Sequence, residues 1–434
     1  MANGKNYNTN INVYDASYER IDYIFKNFKR IYISFSGGKD SGVMLNLTIK
    51  YMKDHNIKEK IGLMVLDNEA NYEYSLKFMH EIIQENLEFL DVYWCCLPIT
   101  LPATVSSYAT EWQCWGVDDK DVWVRPMPEQ EYIVNIDNHK FDFFEENMNY
   151  DKFWDEFGDW YAQGESCACL IGIRTDESLN RFRAIMNTKK IMLDGHCWTK
   201  KNTDYVYNCY PIYDWKTQDV WVANAKFAWK YNELYDIFWK AGLTIAQMRV
   251  ASPFMSESKS SLNLYRVIDG HTWARLCGRV QGANFIATYG KQLTYKSMKL
   301  PEGHTWKSFT KFLIDTLPKE VGENFKMRFI QSIKFWWRVG RGLSPELIQD
   351  LRDNKIDFVL GDKTRHGNQD KDCVRMLPPD HLDMLRCSNS EVTSWKRFAI
   401  TILKNDHTCK YMGLAPTAEQ AKRQREIMKK YKRI

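Results

Sequence analysis

At 434 residues and 51.4 kDa, with 44% hydrophobic and 26% charged residues, the chain holds material for two or three packed domains. Its 16 Trp, 24 Tyr and 22 Phe exclude a disordered class, which is poor in aromatics. The net charge of +5 equals that of one segment, Thr417 to Ile434, where seven basic residues meet two acidic ones. That segment predicts a basic end helix able to touch nucleic acid or an acidic partner, and the rest of the chain is electrically balanced.

No apolar run reaches the roughly 18 residues of a membrane helix, and the best stretch, Val92 to Val105, carries Pro98 and Pro102. The N-terminal residues lack the apolar core of a secretory signal, so a cytoplasmic location with reduced thiols is expected. The 11 Cys include no CxxC pair. Two sets suggest ligands, Cys167 with Cys169, His196 and Cys197, and Cys387 with His407 and Cys409. Neither has the paired spacing of a zinc site, so buried thiols are expected, with no zinc or iron–sulfur cluster.

In chain order, Ile31 to Ser36 reads as a strand, Ser41 to Lys53 as a helix, and Ile61 to Leu66 as a strand buried on both faces. A helix over Tyr74 to Leu90 and a strand over Val92 to Leu97 follow. From about 98 to 164 the alternation gives way to a stretch rich in Trp, Pro and acidic residues, expected as an insertion. Cys167 to Ile173 and Val206 to Ile212 read as strands, with a helix at Glu177 to Met186 between them and two helices beyond, the second closing at Gly242. After residue 250 helical segments dominate: His271–Tyr289, Thr305–Thr316, Phe325–Val339, Pro345–Arg352 and Trp395–Leu403. The expectation is an α/β domain over 1–250, with a parallel sheet covered on both faces, and a mainly helical domain over 251–434.

The most informative motif is Ser34-Phe-Ser-Gly-Gly-Lys-Asp-Ser-Gly42, between the first strand and its helix. Gly37 and Gly38 allow a tight turn with bare N–H groups, and the new helix adds its positive end. Ser36 and Ser41 supply hydroxyls and Lys39 a positive charge. Ile33 and Asp40 depart from the Walker A pattern. A second cluster, Gly172-Ile-Arg-Thr-Asp-Glu-Ser-Leu-Asn-Arg181, offers Arg174 and Arg181 as guanidinium forks for phosphate or sulfate. Glu177 and Asp176 equally suit the first turn of a helix. Trp215 and Trp221 suit a core, and Asp219 a helix start.

Ser-Gly-Gly-Lys-Asp-Ser after a strand resembles the PP-loop of ATP pyrophosphatase-type enzymes. That superfamily includes the small subunit of bacterial ATP sulfurylase, phosphoadenosine-phosphosulfate (PAPS) reductases and DNA phosphorothioation proteins. Leu66-Asp-Asn-Glu-Ala-Asn-Tyr72, the Gly172–Arg181 segment and Tyr210-Pro-Ile-Tyr-Asp-Trp-Lys-Thr-Gln-Asp-Val-Trp221 are similar to further motifs of the superfamily, in its order. The resemblance covers roughly residues 25–250. It implies an adenine nucleotide alpha hydrolase-like sheet that binds ATP with Mg2+ and cleaves the α,β-phosphate bond. It places the nucleotide against Ser34, Ser36, Gly37, Gly38, Lys39, Asp40, Ser41, Asp67, Gly172, Arg174, Glu177 and Arg181. Lys39, Asp40 and Arg174 take the catalytic roles, Asp40 stands near Mg2+, and Asp67 near the ribose or adenine.

Lys226–Tyr235, Ala241–Arg249, Ser394–Lys410 and the Trp112–Pro128 region resemble large PAPS-reductase-like proteins of the immunoglobulin-binding regulator A type. In that company a ParB-like protein is an expected partner, and Arg125 is a candidate for the second substrate. Unlike PAPS reductases, the chain keeps its Lys-Asp pair and lacks Cys-Gly-x-His: Cys277-Gly278 is followed by Arg279 and Val280. The alternatives are a sulfonucleotide enzyme or sulfurtransferase using Cys167 or Cys169, and a nucleotide-dependent regulator or defence component acting with a ParB-like protein and DNA. The acceptor and the oligomeric state stay open.

Overall fold

A computed structural model describes residues 11–106, 111–187, 189–245, 247–250, 252–254, 262–280, 300–366, 369–386, 392–409 and 412. The chain divides into two compact units, Met1–Pro102 with Glu111–Thr288, and Ala103–Thr110 with Tyr289–Ile434.

The first unit opens with α1 (Val13–Asn27), whose N-terminus is capped by Asn12 accepting from the Asp15 N–H at 3.0 Å. Next come β1 (Arg30–Ser34), α2 (Lys39–Asp54), β2 (Ile61–Leu66), α3 (Glu73–Gln84) and β3 (Leu90–Cys95). Helix α2 starts where Gly38 leaves the extended conformation, and just past its end Asn56 turns left-handed at φ 52°. The Trp-rich stretch supplies β4 (Ile99–Pro102), β5 (Glu111–Cys114) and β7 (Met148–Asn149), which form a small sheet in the order β5-β4-β7. Within the same stretch, β6 (Ile133–Val134) joins the main sheet and α4 (Tyr150–Ala162) packs upon it.

The unit continues through β8 (Cys167–Ile171), α5 (Leu179–Met186), β9 (Thr199–Lys201), β10 (Val206–Cys209), α6 (Thr217–Lys226) and α7 (Leu234–Lys240). The described part ends with α8 (Leu262–Ile268) and α9 (Gly270–Arg279). Among the described residues the main sheet has seven strands in the order β6-β3-β2-β1-β8-β10-β9, parallel except for the β10–β9 edge. Strand alternation puts helices on both faces. Tyr93 meets Trp160 of α4 with ring centroids 5.7 Å apart, while its neighbour Trp94 stacks on His80 of α3 at 4.3 Å. The continuous apolar run of β2 follows from this double cover.

From β1 the chain winds outward through β2 to β3, then returns to place β8 and β10 on the other side of β1. The order therefore reverses between β1 and β8, and the loops leaving their carboxyl ends flank a crevice of the kind that receives ligands in open α/β sheets.

In the second unit, α10 (Trp306–Thr316), α11 (Lys319–Arg338), α12 (Pro345–Asp353) and α13 (Trp395–Leu403) follow the expected helices, α11 starting six residues earlier. Phe325 and Phe329 of α11 pack against Phe398 and Ile402 of α13. Two features differ from the expectation. Helices α8 and α9 belong to the first unit, and the second unit carries an antiparallel sheet in the order β11-β13-β12 (Arg341–Gly342, Gln369–Arg375 and Val359–His366). The strand sequences there are charged and lack apolar alternation, which hides the period of two. The expected helix over His271–Tyr289 starts at Gly270 and ends at Arg279, where Val280 turns extended; residues 281–289 and the basic end segment lie outside the described residues. No helix among the described residues is long and apolar enough to cross a membrane.

Candidate functional site

The turn from β1 into α2 is built around one backbone conformation. Gly37 has φ +68°, and a Cβ there would lie 2.8 Å from Cγ and Sδ of Met79, so only glycine suits the position. Ser34 closes β1 in register with Met64 and Ile171. The Ser41 hydroxyl donates to the Gly38 carbonyl at 3.1 Å and lies 3.1 Å from the Ser36 hydroxyl. Gly38 has no side chain with which to cap α2, and the positive end of the helix lies beside these two hydroxyls.

Lys39 and Asp40, the first residues of α2, start a chain of ion pairs. Lys39 Nζ stands 2.8 Å from Asp40 Oδ2, and Arg174 Nε stands 2.6 Å from Asp40 Oδ1. Arg174 is only 1% exposed. It also donates to the Trp215 carbonyl at 3.3 Å and the Thr217 hydroxyl at 3.2 Å, and Asp176 lies 3.7 Å away. The expectation gave Arg174 a grip on phosphate. In the structure three of its five N–H groups are engaged, with Asp40, the Trp215 carbonyl and the Thr217 hydroxyl, which ties Asp40 to the start of α6.

Gly172 explains how Arg174 comes so near. A Cβ at Gly172 would lie 2.7 Å from the Asp40 carbonyl oxygen and 2.9 Å from Ser41 Cα, so glycine alone lets the β8 loop meet the α2 N-terminus. Beyond it Ser178 caps α5 by accepting from the Arg181 N–H at 3.2 Å. Glu177 pairs with Arg181, burial raises its carboxyl above the usual carboxylate range, and the nearby Arg181 partly offsets that. Arg183 is exposed. Arg181, about 39% exposed, is thus the guanidinium of the two named for a phosphate grip that faces solvent.

Asp67 sits at the end of β2 but is fully buried. It accepts from Trp94 Nε1 at 2.7 Å, from the Glu69 N–H at 2.9 Å and from Arg125. Sequence reasoning missed Glu69, which takes the Trp115 and Val124 N–H groups at 2.7 and 2.8 Å and Arg279 Nε at 3.3 Å. Glu69 holds a left-handed φ of 67° while making these bonds. The Asp67-Asn-Glu69 turn therefore fastens the Trp-rich stretch to the sheet, and Arg125, candidate for a second substrate, is engaged with Asp67. Arg20, also missed, grips Asp214 with two bonds of 2.8 and 2.6 Å, and Trp215 Nε1 donates to Ser17 at 2.7 Å. The Tyr210–Trp221 segment owes much of its pattern to docking α1.

Cys167 and Cys169 lie on β8, buried, and burial pushes both thiols up, Cys169 to about 12. Both stay protonated at neutral pH and are poor nucleophiles. Native protein treated with a thiol-reactive disulfide reagent at pH 7 should leave both unmodified, while denatured protein reacts at both. Mass spectrometry of the peptides checks this. Among the described residues no group of three or more His, Cys, Asp or Glu is placed to hold a metal ion.

Comparison with known proteins finds a match to one family model over part of the chain and one full-length relative. Residues 242–423 match a domain of unknown function, DUF3440. Over 414 residues the chain is 29% identical to the uncharacterized protein YbdN of Escherichia coli (strain K12), covering 94% of this chain and 91% of that one. Solved structures align more loosely. FMN adenylyltransferase of Candida glabrata, bound to FMN and the ATP analogue AMPCPP, is 16% identical with a TM-score of 0.32, over 51% of this chain and 59% of that one. PAPS reductase of Candida auris, a phosphate complex, is 11% identical with a TM-score of 0.26, over 51% and 84%. The U34-tRNA thiolase NcsA of Methanococcus maripaludis is 13% identical with a TM-score of 0.30, over 65% and 88%.

Proposed function

We propose that the chain is a PP-loop enzyme that binds ATP at the β1–α2 turn and cleaves the α,β-phosphate bond. The supporting observation is the joining of an anion-accepting turn to one charged constellation, Lys39–Asp40–Arg174, at the crevice where strand order reverses. The turn N–H groups, the Ser36 and Ser41 hydroxyls and the α2 N-terminus suit the β- and γ-phosphates. Lys39 neutralises the charge that grows on the leaving pyrophosphate as the bond breaks.

The acceptor attacks the α-phosphorus, the α–β bridging oxygen leaves with pyrophosphate, and the acceptor's proton passes to solvent. Water as acceptor gives AMP; another nucleophile becomes adenylylated. Lys39 and Arg174 each take one oxygen of Asp40 and leave each oxygen a further lone pair, so Asp40 could serve as the one protein carboxylate for a Mg2+ ion carried by the phosphates. Bound there, Mg2+ would supply charge neutralisation between the phosphates. Arg174 holds Asp40 in place for that role. The sulfur-transfer alternative needs a thiolate, and the burial of Cys167 and Cys169 favours phosphate chemistry instead.

The test is to incubate the purified chain with Mg2+ and ATP, with and without a small-molecule extract as acceptor source, and to resolve the nucleotides. AMP or an adenylylated product together with pyrophosphate is expected. ADP with phosphate would sink the proposal.

A further inference from the structure

We propose that Tyr235 is a ligand of the bound polyphosphate, presenting its hydroxyl proton to a phosphate oxygen beside Lys39. The inference rests on reading the β1–α2 turn as the ATP site. It starts from a brace that reaches the turn from almost 200 residues downstream. Asn232, fully buried, donates from Nδ2 to the Gly37 carbonyl at 3.0 Å and to the Ser75 hydroxyl at 2.9 Å. Its Oδ1 accepts from the Leu234 N–H at 3.0 Å. One side chain thus ties the turn, α3 and the start of α7 together, and fixes where Tyr235 stands one step further along α7.

The Tyr235 hydroxyl accepts the Lys39 N–H at 3.1 Å. That N–H is the first of α2, one of the donors a helix leaves unsatisfied and an anion ordinarily takes. The hydroxyl is therefore already seated where anion recognition occurs, and a Cβ on Gly38 would come within 3.5 Å of it. The ring is buried, with Trp221 at 5.5 Å and Phe238 at 6.5 Å between centroids, and Lys39 Nζ lies 5.6 Å from its centre. So enclosed, Tyr235 stays in place when ligand enters.

Because the oxygen accepts from Lys39, its own hydrogen points elsewhere. Burial and the nearby Asp40 carboxylate hold the phenol well above its ordinary range, so it remains a donor at all working pH values. A phosphate oxygen drawn to Lys39 meets that hydrogen, and a hydrogen bond to a charged acceptor is of the stronger kind.

Tyr235→Phe removes only the oxygen. Calorimetric titration should show the Kd for Mg-ATP and for pyrophosphate rising roughly tenfold or more, with kcat changed far less than KM. Trp221→Phe disturbs the packing of the same ring and leaves the hydroxyl, so its Kd values should match wild type. Melting curves of all three proteins confirm that each is folded. An unchanged Kd in Tyr235→Phe, or an equal weakening in Trp221→Phe, overturns the inference while leaving the ATP site intact. A wild-type chain that binds neither ATP nor pyrophosphate overturns the site reading itself, and this inference with it.

Discussion

Lys39→Ala should lower ATP turnover on the order of 100-fold or more, the usual consequence of removing one group that stabilises developing charge. Its melting temperature should stay near wild type, because the Asp40–Arg174 pair survives the change. Asp40→Ala should behave differently. Arg174 is nearly inaccessible, and its other partners are the Trp215 carbonyl, the Thr217 hydroxyl and an Asp176 oxygen 3.7 Å away. Stranding such a buried cation costs about 3–5 kcal/mol, so Asp40→Ala loses turnover and stability together. Thermal denaturation beside steady-state kinetics separates the two. Equal melting losses in both variants would contradict the geometry, and wild-type turnover in Lys39→Ala would remove Lys39 from the site.

Gly172→Ala carries the second large effect. The added methyl meets backbone on the facing element, the Asp40 carbonyl at 2.7 Å and Ser41 Cα at 2.9 Å, and no side chain can swing aside. Either the β8 loop or the α2 N-terminus must retreat, at about 1–3 kcal/mol for overpacking. The retreat also parts Arg174 from Asp40, and a misplacement near 1 Å costs on the order of 100-fold in rate. Glycine at 172 is thus predicted to be needed for a contact between two elements, since nothing in its own φ demands it. A variant with full activity and unaltered melting would show that the two loops are not packed as described.

How much of this was legible in the chain depends on the distance over which each residue acts. The β1–α2 turn was readable because its constraints are local: two glycines, a strand before and a helix after. Gly172 and Arg174 stand out as a motif, and the fold adds the partners that Arg174 meets. A guanidinium fork suits phosphate and carboxylate alike, and only the fold shows that Asp40 meets its Nε. Glu69 and Arg279 lie 210 positions apart, and Asn232 and Tyr235 act on residues 195 and 196 positions away, so no spacing betrays them. A signal was present for Glu69, an acidic residue two places after Asp67 at a strand end. It was not separable from an ordinary turn residue. The second unit's sheet escaped because its strands carry charge where apolar alternation would mark them.

Cleavage between the α and β phosphates at this turn can be told from β,γ cleavage with two ATP analogues. One has a methylene group in place of the α–β bridging oxygen, the other in place of the β–γ bridging oxygen. The β,γ-methylene analogue, supplied with Mg2+ and the acceptor, should yield AMP or an adenylylated product and methylene diphosphonate. The α,β-methylene analogue should bind competitively and remain intact. Release of phosphate from the α,β-methylene analogue, with the β,γ-methylene analogue untouched, would contradict it.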